Sequence, residues 1–214
     1  MQVLIGVIVV LVLTFFAVRW QGQHHPHPMP YWLEGVFLDN PLRRLVFGPG
    51  LVLSLGAVRA GDRVAEIGSG IGFISEALSR ATGPGGEVLA LDQSPMAVAA
   101  TRRRLSNGPA RHSVVEGDAG QLPWDSGSVD VVVMVAMLGE IAPDRRSVVL
   151  GEVRRVLAPQ GRVVLVEYWP DPHYLLPADL KRYLAGAGLV VEASRRAFLQ
   201  HGVRATRASG IDAG

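Results

Sequence analysis

A glycine-rich loop near residue 70 has the composition needed to bind a compact charged ligand. Residues 64–72 read Val-Ala-Glu-Ile-Gly-Ser-Gly-Ile-Gly, so glycine stands at positions 68, 70 and 72, with Glu66 two positions before the first. Because glycine has no Cβ, the backbone can turn sharply from a strand into a helix and close around such a ligand. A dinucleotide-binding loop of the G-x-G-x-x-G type would need glycine or alanine where this chain has Phe73. The spacing therefore indicates a cofactor other than a dinucleotide.

Two aspartates follow later apolar runs and could hold a nucleoside. Asp92 ends the second run and Asp118 follows the third. A carboxylate only accepts hydrogen bonds, so Asp92 can bind both hydroxyls of a ribose and Asp118 can accept from an adenine amino group. Met96 and Leu122 offer apolar cover to the ring. Each aspartate alone could be an ordinary strand-end or capping residue, and it is their joint position that favours a cofactor site.

The elements that must position these residues alternate between β-rich runs and helical stretches beyond Asp62. This alternation predicts an α/β fold, namely a Rossmann-like, doubly wound, mostly parallel seven-stranded sheet that ends in an antiparallel hairpin around Gly202. Ligands bind such sheets at the carboxyl ends of the strands. Strands are expected at Arg63–Ile67, Glu87–Leu91, Ser113–Glu116, Val129–Ala136, Arg162–Tyr168, Leu189–Arg195 and Val203–Arg207, and helices at Phe73–Ala81, from Ser94-Pro95 to Leu105, from Pro143 onward and at Ala178–Ala187.

Together these motifs resemble class I S-adenosylmethionine (SAM)-dependent methyltransferases, in the type 11 branch similar to ubiquinone/menaquinone C-methyltransferases. The resemblance covers residues 41–207 and is carried by Glu66–Gly72, Leu91-Asp92, Glu116–Ala119 with Leu122-Pro123, and Val156–Arg162. It departs from the family at Gln160, where a second glycine is usual. The resemblance implies SAM as methyl donor, held by Glu66, Gly68, Ser69, Gly70, Gly72, Asp92, Gln93, Met96, Asp118 and Ala119. Glu66 would lie near the methionine amine of SAM or would hold the amides of the glycine loop.

The acceptor is expected to lie between two later segments, residues 137–140 and 167–174. Glu140 or His173 could serve there as a general base for a hydroxyl or an acidic carbon, although each could equally be a structural or surface residue. The sequence after the fourth strand lacks the Asn/Asp-Pro-Pro-aromatic motif of amino-directed DNA methyltransferases. The absence of cysteine excludes Cys-dependent pyrimidine methylation and thiol-dependent arsenic methylation. A small molecule or a lipid remains.

The first twenty residues differ in kind from the rest. Residues 3–18 are apolar apart from Gly6 and Thr14, and they are followed by Arg19. A run of this length can cross a somewhat thinned bilayer, and the basic residues on its carboxyl side place the following domain in the cytoplasm. We therefore expect a single-pass membrane anchor at residues 1–20. A cleaved signal peptide and a buried N-terminal helix are the alternatives, but the run has no basic segment before it and is apolar on every face.

Residues 21–40 are expected to form a linker and a lid, and residues 41–214 the methyltransferase domain. The prolines of residues 26–30 prevent a helix there. His24, His25 and His27 could bind a metal, but a polar spacer fits better because no further ligand accompanies them, and no metal site is expected. Tyr31 and Trp32 could cover the site or could rest at the membrane interface.

Net charge and the remaining motifs restrict the partners. The net charge is only +2 and the arginines are scattered, so no nucleic-acid partner is expected. Tethering to a membrane would favour a lipophilic acceptor such as a quinone precursor or a lipid. Two other classes stay open: a non-enzymatic SAM-binding or membrane scaffold protein, and an NAD-dependent dehydrogenase. The latter needs a Tyr-x-x-x-Lys pair, and the only lysine, Lys181, has no tyrosine four residues before it.

Overall fold

The computed structural model describes residues 47–169 and 171–208. The expected anchor at residues 1–20 and the whole of the expected linker at residues 21–40, including Tyr31 and Trp32, lie outside these residues. Within the described residues, helices are too short or too polar to span a bilayer.

A single seven-stranded sheet forms the centre of the described molecule. Its order is β3-β2-β1-β4-β5-β7-β6, the first five strands being parallel and β7 antiparallel to both of its neighbours. This confirms the predicted doubly wound, mostly parallel sheet. The strands are β1 (Arg63–Ile67), β2 (Glu87–Asp92), β3 (Arg111–Glu116), β4 (Val129–Val135), β5 (Leu157–Tyr168), β6 (Leu189–Ala197) and β7 (Gln200–Arg207).

Helices cover both faces of the sheet and make two apolar layers. Val52, Leu78 and Leu105 belong to the layer on one face, whereas Leu150 and Leu184 belong to the layer on the other. The central strand β4 contributes buried valines to both layers, as expected for a parallel strand covered on both sides. The helices are α1 (Gly50–Gly56), α2 (Phe73–Thr82), α3 (Pro95–Leu105), α4 (Arg146–Val156) and α5 (Pro177–Gly186), with a short 3-10 turn at Leu138–Glu140.

The last hairpin turns at a different place from the one predicted. Gly202 does not form the turn, since it lies inside β7 opposite Val166 and Arg195. A side chain at Gly202 would meet Leu55 of α1, so glycine is needed there for close packing. The turn itself lies at residues 198–199, where Leu199 adopts φ +56°.

Helix boundaries follow local signals where these are strong. Ser94 caps α3 by accepting a hydrogen bond from the Ala97 amide, and Pro95 opens the helix, as predicted. The predicted start of the next helix at Pro143 is wrong, because α4 begins at Arg146. Helix α1 was not predicted from the sequence.

Candidate functional site

A cavity of about 660 Å³ opens at the carboxyl ends of the parallel strands. It lies where β1 and β4 meet and the strand order reverses direction, the position at which such sheets bind ligands. The predicted site residues that line it are Glu66, Gly68, Ser69, Gly70, Asp92, Gln93, Met96, Asp118, Ala119 and Glu140. Gly72, Leu122 and His173 do not line it.

The glycine loop is held in shape by β2. The Gly68 amide donates to the Leu91 carbonyl over 2.8 Å, and the Gly70 amide donates to the Asp92 carboxylate over 2.8 Å. Gly68 and Gly70 have φ values of +77° and +51°, which side chains disfavour. The other Asp92 oxygen accepts from the Ser94 amide over 2.9 Å. Asp92 therefore joins the loop to the start of α3 and still has lone pairs for a ribose.

Gly72 supports the loop from behind the cavity. It has φ +76°, and a Cβ at this position would lie 2.9 Å from the Thr101 Cα on α3. The Thr101 hydroxyl donates to the Gly70 carbonyl over 3.0 Å. Gly72 therefore allows α3 to pack closely against the loop. It does not line the cavity, where direct contact with the cofactor was predicted.

Glu66 is a buried carboxyl group at the base of the loop. It is 2% exposed and accepts a hydrogen bond from the Ser75 hydroxyl. Burial raises the pKa of Glu66 to about 8, with the charge of Asp92 adding to the effect. The loop amides bond to Leu91 and Asp92, so Glu66 does not perform the amide-holding role considered for it. The raised pKa leaves Glu66 protonated near neutral pH, and a positive charge brought beside it would lower that pKa.

The end of the cavity predicted to receive adenine contains an ion pair. One Asp118 oxygen accepts from Arg145 Nη2 over 2.7 Å, and the other accepts from the Gly120 amide over 2.8 Å. Arg145 and the Gly120 amide lower the pKa of Asp118, which therefore stays ionised. Met96 and Ala119 line this end, but Leu122 is buried in the core and provides no cover for a ring. Arg145 was not identified from the sequence.

The opposite end combines apolar side chains with two carboxyl groups. Met137, Ile141 and Tyr168 line it beside Glu140 and Asp171. Glu140 thus lies where the acceptor was expected.

His173 lies next to this end without lining it. The His173 amide donates to the Asp171 carboxylate over 2.7 Å, and Nδ1 of its ring lies 3.5 Å from the same oxygen. His173 therefore positions Asp171, and Asp171 is the group of this pair that reaches the cavity. Asp171 lies within the segment predicted to receive the acceptor, although it was not itself predicted as a general base.

A buried polar layer fixes the loop that carries Glu140. The Arg146 guanidinium donates to the carbonyls of Leu138, Gly139 and Ile141 over 2.9 to 3.1 Å. Glu167 lies in the same region at 2% exposure, and burial, reinforced by the charge of Asp171, raises its pKa to about 8. Arg146 therefore ties together three backbone carbonyl groups of the loop that carries Glu140.

Comparisons with known proteins agree with this geometry. Residues 64–161 match the family described as "Methyltransferase domain". The chain is 30% identical over 152 residues to an arsenite methyltransferase of Halobacterium salinarum, covering 68% of this chain and 38% of that protein. It is 29% identical over 188 residues to the ubiquinone/menaquinone biosynthesis C-methyltransferase UbiE of Azotobacter vinelandii, covering 84% of this chain and 73% of that protein.

The fold is that of a solved SAM-dependent methyltransferase from Aquifex aeolicus, with a TM-score of 0.76 at 23% identity over 83% of this chain and 98% of that one. The chain spans 31% to 73% of the length of curated relatives that it matches, and less than two thirds of several of them. With the matched family, the fold and the cavity in agreement, residues 64–161 form a methyltransferase domain of the class that uses SAM as its methyl donor.

Proposed function

We propose that this protein transfers a methyl group from SAM to a small lipophilic acceptor associated with a membrane, such as a quinone precursor. The observation that carries the proposal is the two-ended cavity. One end presents the glycine loop and Asp92, and the other presents Met137, Ile141 and Tyr168 beside two carboxyl groups. A flat, largely apolar acceptor with one ionisable group fits the second end. The quinone-pathway relative, UbiE, supports this acceptor class.

The chain contributes alignment, exclusion of water and proton acceptance. When bound, SAM would supply an electrophilic sulfonium methyl for in-line transfer to the acceptor, and the electron pair of the S–C bond would return to sulfur. The loop and Asp92 fix the donor, while the apolar wall removes water from the reacting atoms. Glu140 or Asp171 takes the proton that the acceptor loses, since both carboxyl groups line that end.

Arsenite, the substrate named for one relative, does not suit this chain. Trivalent arsenic is bound by thiolates, and the chain has no cysteine. The quinone-like acceptor is therefore preferred to a metalloid.

Residues 1–20 are proposed to anchor the protein in the membrane as a single-pass segment, with the domain in the cytoplasm and residues 21–40 as linker. The apolar run of residues 3–18 and Arg19 after it support this arrangement. Anchoring would raise the local concentration of an acceptor dissolved in the bilayer.

The test is incorporation of labelled methyl from SAM into a lipid extract. Label should enter a quinone-like fraction, and deletion of residues 1–20 should sharply reduce that turnover while the affinity for S-adenosylhomocysteine is unchanged. Calorimetric binding of S-adenosylhomocysteine without any methyl incorporation would indicate the scaffold alternative. Binding of NAD instead of S-adenosylhomocysteine would indicate a dehydrogenase, and equal turnover with and without residues 1–20 would remove the anchor's role.

A further inference from the structure

Exposed apolar side chains gather at the cavity end of the molecule. In the described part, six large apolar side chains are about half exposed or more. Five of them lie at the carboxyl edge of the sheet, either just after a strand or near the start of a helix. The sixth, Val190, lies at the start of β6 and therefore at the opposite end. The five are Met96 (54%), Val148 (53%), Trp169 (48%), Leu176 (55%) and Phe198 (74%).

Three of these side chains stand on adjoining loops beside the cavity, and we call Trp169, Leu176 and Phe198 the apolar rim. The Trp169 amide donates to the Leu199 carbonyl over 2.9 Å, which ties the end of β5 to the turn that carries Phe198. Leu176 immediately precedes α5 on the same edge. Water-exposed aromatic and leucine side chains at one edge are typical of a surface that is covered by a partner.

Two arginines flank the tip of the hairpin. Arg195 and Arg196 are exposed, near the end of β6, and they lie opposite Gly202 and His201. Since successive residues of a strand point to opposite faces, the two guanidinium groups extend on both sides of the tip. Residues 194–200 contain no acidic residue. Aromatic side chains next to cationic ones suit the headgroup region of an anionic bilayer.

The preceding part of the chain arrives at this same end. The Phe47 ring lies 4.9 Å, centroid to centroid, from the ring of Tyr168, and Tyr168 lines the cavity. Residues 1–46, with the apolar run of residues 3–18, are therefore connected to the domain beside the cavity rather than at the far end of the sheet.

We propose that the apolar rim, with Arg195 and Arg196, is a membrane-docking surface that seats the cavity on an anionic lipid bilayer. This inference rests on the proposed function and refines it, because the acceptor would enter the cavity directly from the lipid phase.

The absence of cysteine from the chain allows a direct test. The full-length variants Phe198→Cys and Val190→Cys would each carry an environment-sensitive fluorophore and be mixed with phosphatidylcholine vesicles containing phosphatidylglycerol. The label at 198 should shift to the blue and be shielded from an aqueous quencher, whereas the label at 190, on the same hairpin at the opposite end, should not. Equal exposure of the two labels to the quencher would overturn the proposal.

The arginines are tested in the same assay with the label at position 198. Replacing both Arg195 and Arg196 by glutamine should reduce vesicle binding of the rim by about fivefold per arginine at low salt, without changing the affinity for S-adenosylhomocysteine. The matched control replaces two other exposed arginines by glutamine, Arg59 in the turn before β1 and Arg111 at the start of β3, and should leave the signal unchanged. Equal loss in both double variants would contradict a localised docking surface.

These outcomes separate the docking surface from the proposed function. If the label at 198 enters the bilayer but no lipid fraction is methylated, the docking surface is supported and the proposed lipophilic acceptor is contradicted. If lipid is methylated while the label at 198 stays in water, the acceptor is supported and the docking surface is contradicted. A shift that needs no vesicles and grows with protein concentration would assign the rim to a second copy of the chain, and the docking proposal would fail.

Discussion

Asp92 performs two structural tasks and one expected binding task with a single carboxylate. Its oxygens accept from the Gly70 and Ser94 amides at 2.8 and 2.9 Å, which shapes the loop before any ligand arrives. Each oxygen keeps a second lone pair for a ribose hydroxyl. Loss of this side chain should therefore affect both the order of the loop and the affinity for the cofactor.

We expect Asp92→Ala to weaken binding of S-adenosylhomocysteine by about tenfold or more, because hydrogen bonds to a charged group contribute roughly 1.5–3 kcal/mol. Isothermal titration calorimetry measures the change. Glu116→Ala is the matched control, since Glu116 pairs with Asp92 in the neighbouring strand but is exposed and does not line the cavity. Similar affinities for the two variants would contradict the role of Asp92.

Several residues of the site could not be chosen from the sequence because their partners are distant along the chain. The pairing of Arg145 with Asp118 spans 27 residues and that of Thr101 with Gly70 spans 31. Asp171 was one of several polar residues in its segment, and only the fold shows that it reaches the cavity while His173 does not. Strand-end carboxylates were predictable, since their position follows directly from the alternation of strands and helices.

At the scale of elements, the contact between the loop and α3 depends on the missing side chain of Gly72. Its positive φ and the 2.9 Å approach to the Thr101 backbone both penalise a Cβ. Gly151 differs from Gly72 because it is exposed in the middle of α4, and a Cβ added there would meet no other atom within 4 Å.

We therefore expect Gly72→Ala to destabilise the protein by about 1–3 kcal/mol through backbone strain and displacement of α3. Gly151→Ala should stabilise it by about 0.5–1 kcal/mol, because alanine restricts the unfolded chain and favours the helix. Urea denaturation of both variants checks the opposite signs. An unchanged midpoint for Gly72→Ala would show that α3 adapts to the extra carbon.

Some secondary-structure elements could be located from the sequence and others could not. Strands β1, β2 and β4 were recognisable because their apolar residues lie between clear turn signals. The final turn was misplaced because Gly202 resembles a turn residue, whereas the actual turn at 198–199 uses Leu199 at φ +56°. Helix α1 was missed because its sequence, GLVLSLG, lacks a polar face and contains two glycines.

At the scale of the whole molecule, two buried glutamates make stability depend on pH. The pKa values of Glu66 and Glu167 are raised to about 8 in the folded protein, mainly by burial. In the unfolded chain a glutamate ionises near pH ~4.3. Between these values the folded state keeps protons that the unfolded state has released, so this contribution to stability is full at low pH and is lost as pH rises towards 8.

We expect the free energy of unfolding to fall between pH 5.5 and 8 by on the order of 1 kcal/mol per pH unit for each glutamate. Glu167→Gln should reduce this slope, because glutamine keeps the hydrogen-bonding shape of the protonated group without a titrating proton. Urea midpoints at several pH values test this, with Glu116→Gln as the exposed control. A slope in Glu167→Gln equal to that of the unsubstituted chain would contradict the assignment.

Both margins of the sheet carry charged, water-facing side chains. Strand β3 exposes Arg111 and Glu116 at one edge of the sheet, and β6 exposes Glu192, Arg195 and Arg196 at the other. A free strand margin offers unpaired backbone groups to any second chain, and such charges resist that pairing. The consequence is protection against edge-to-edge aggregation. This protection would matter most for a protein that accumulates at a membrane surface, as proposed above.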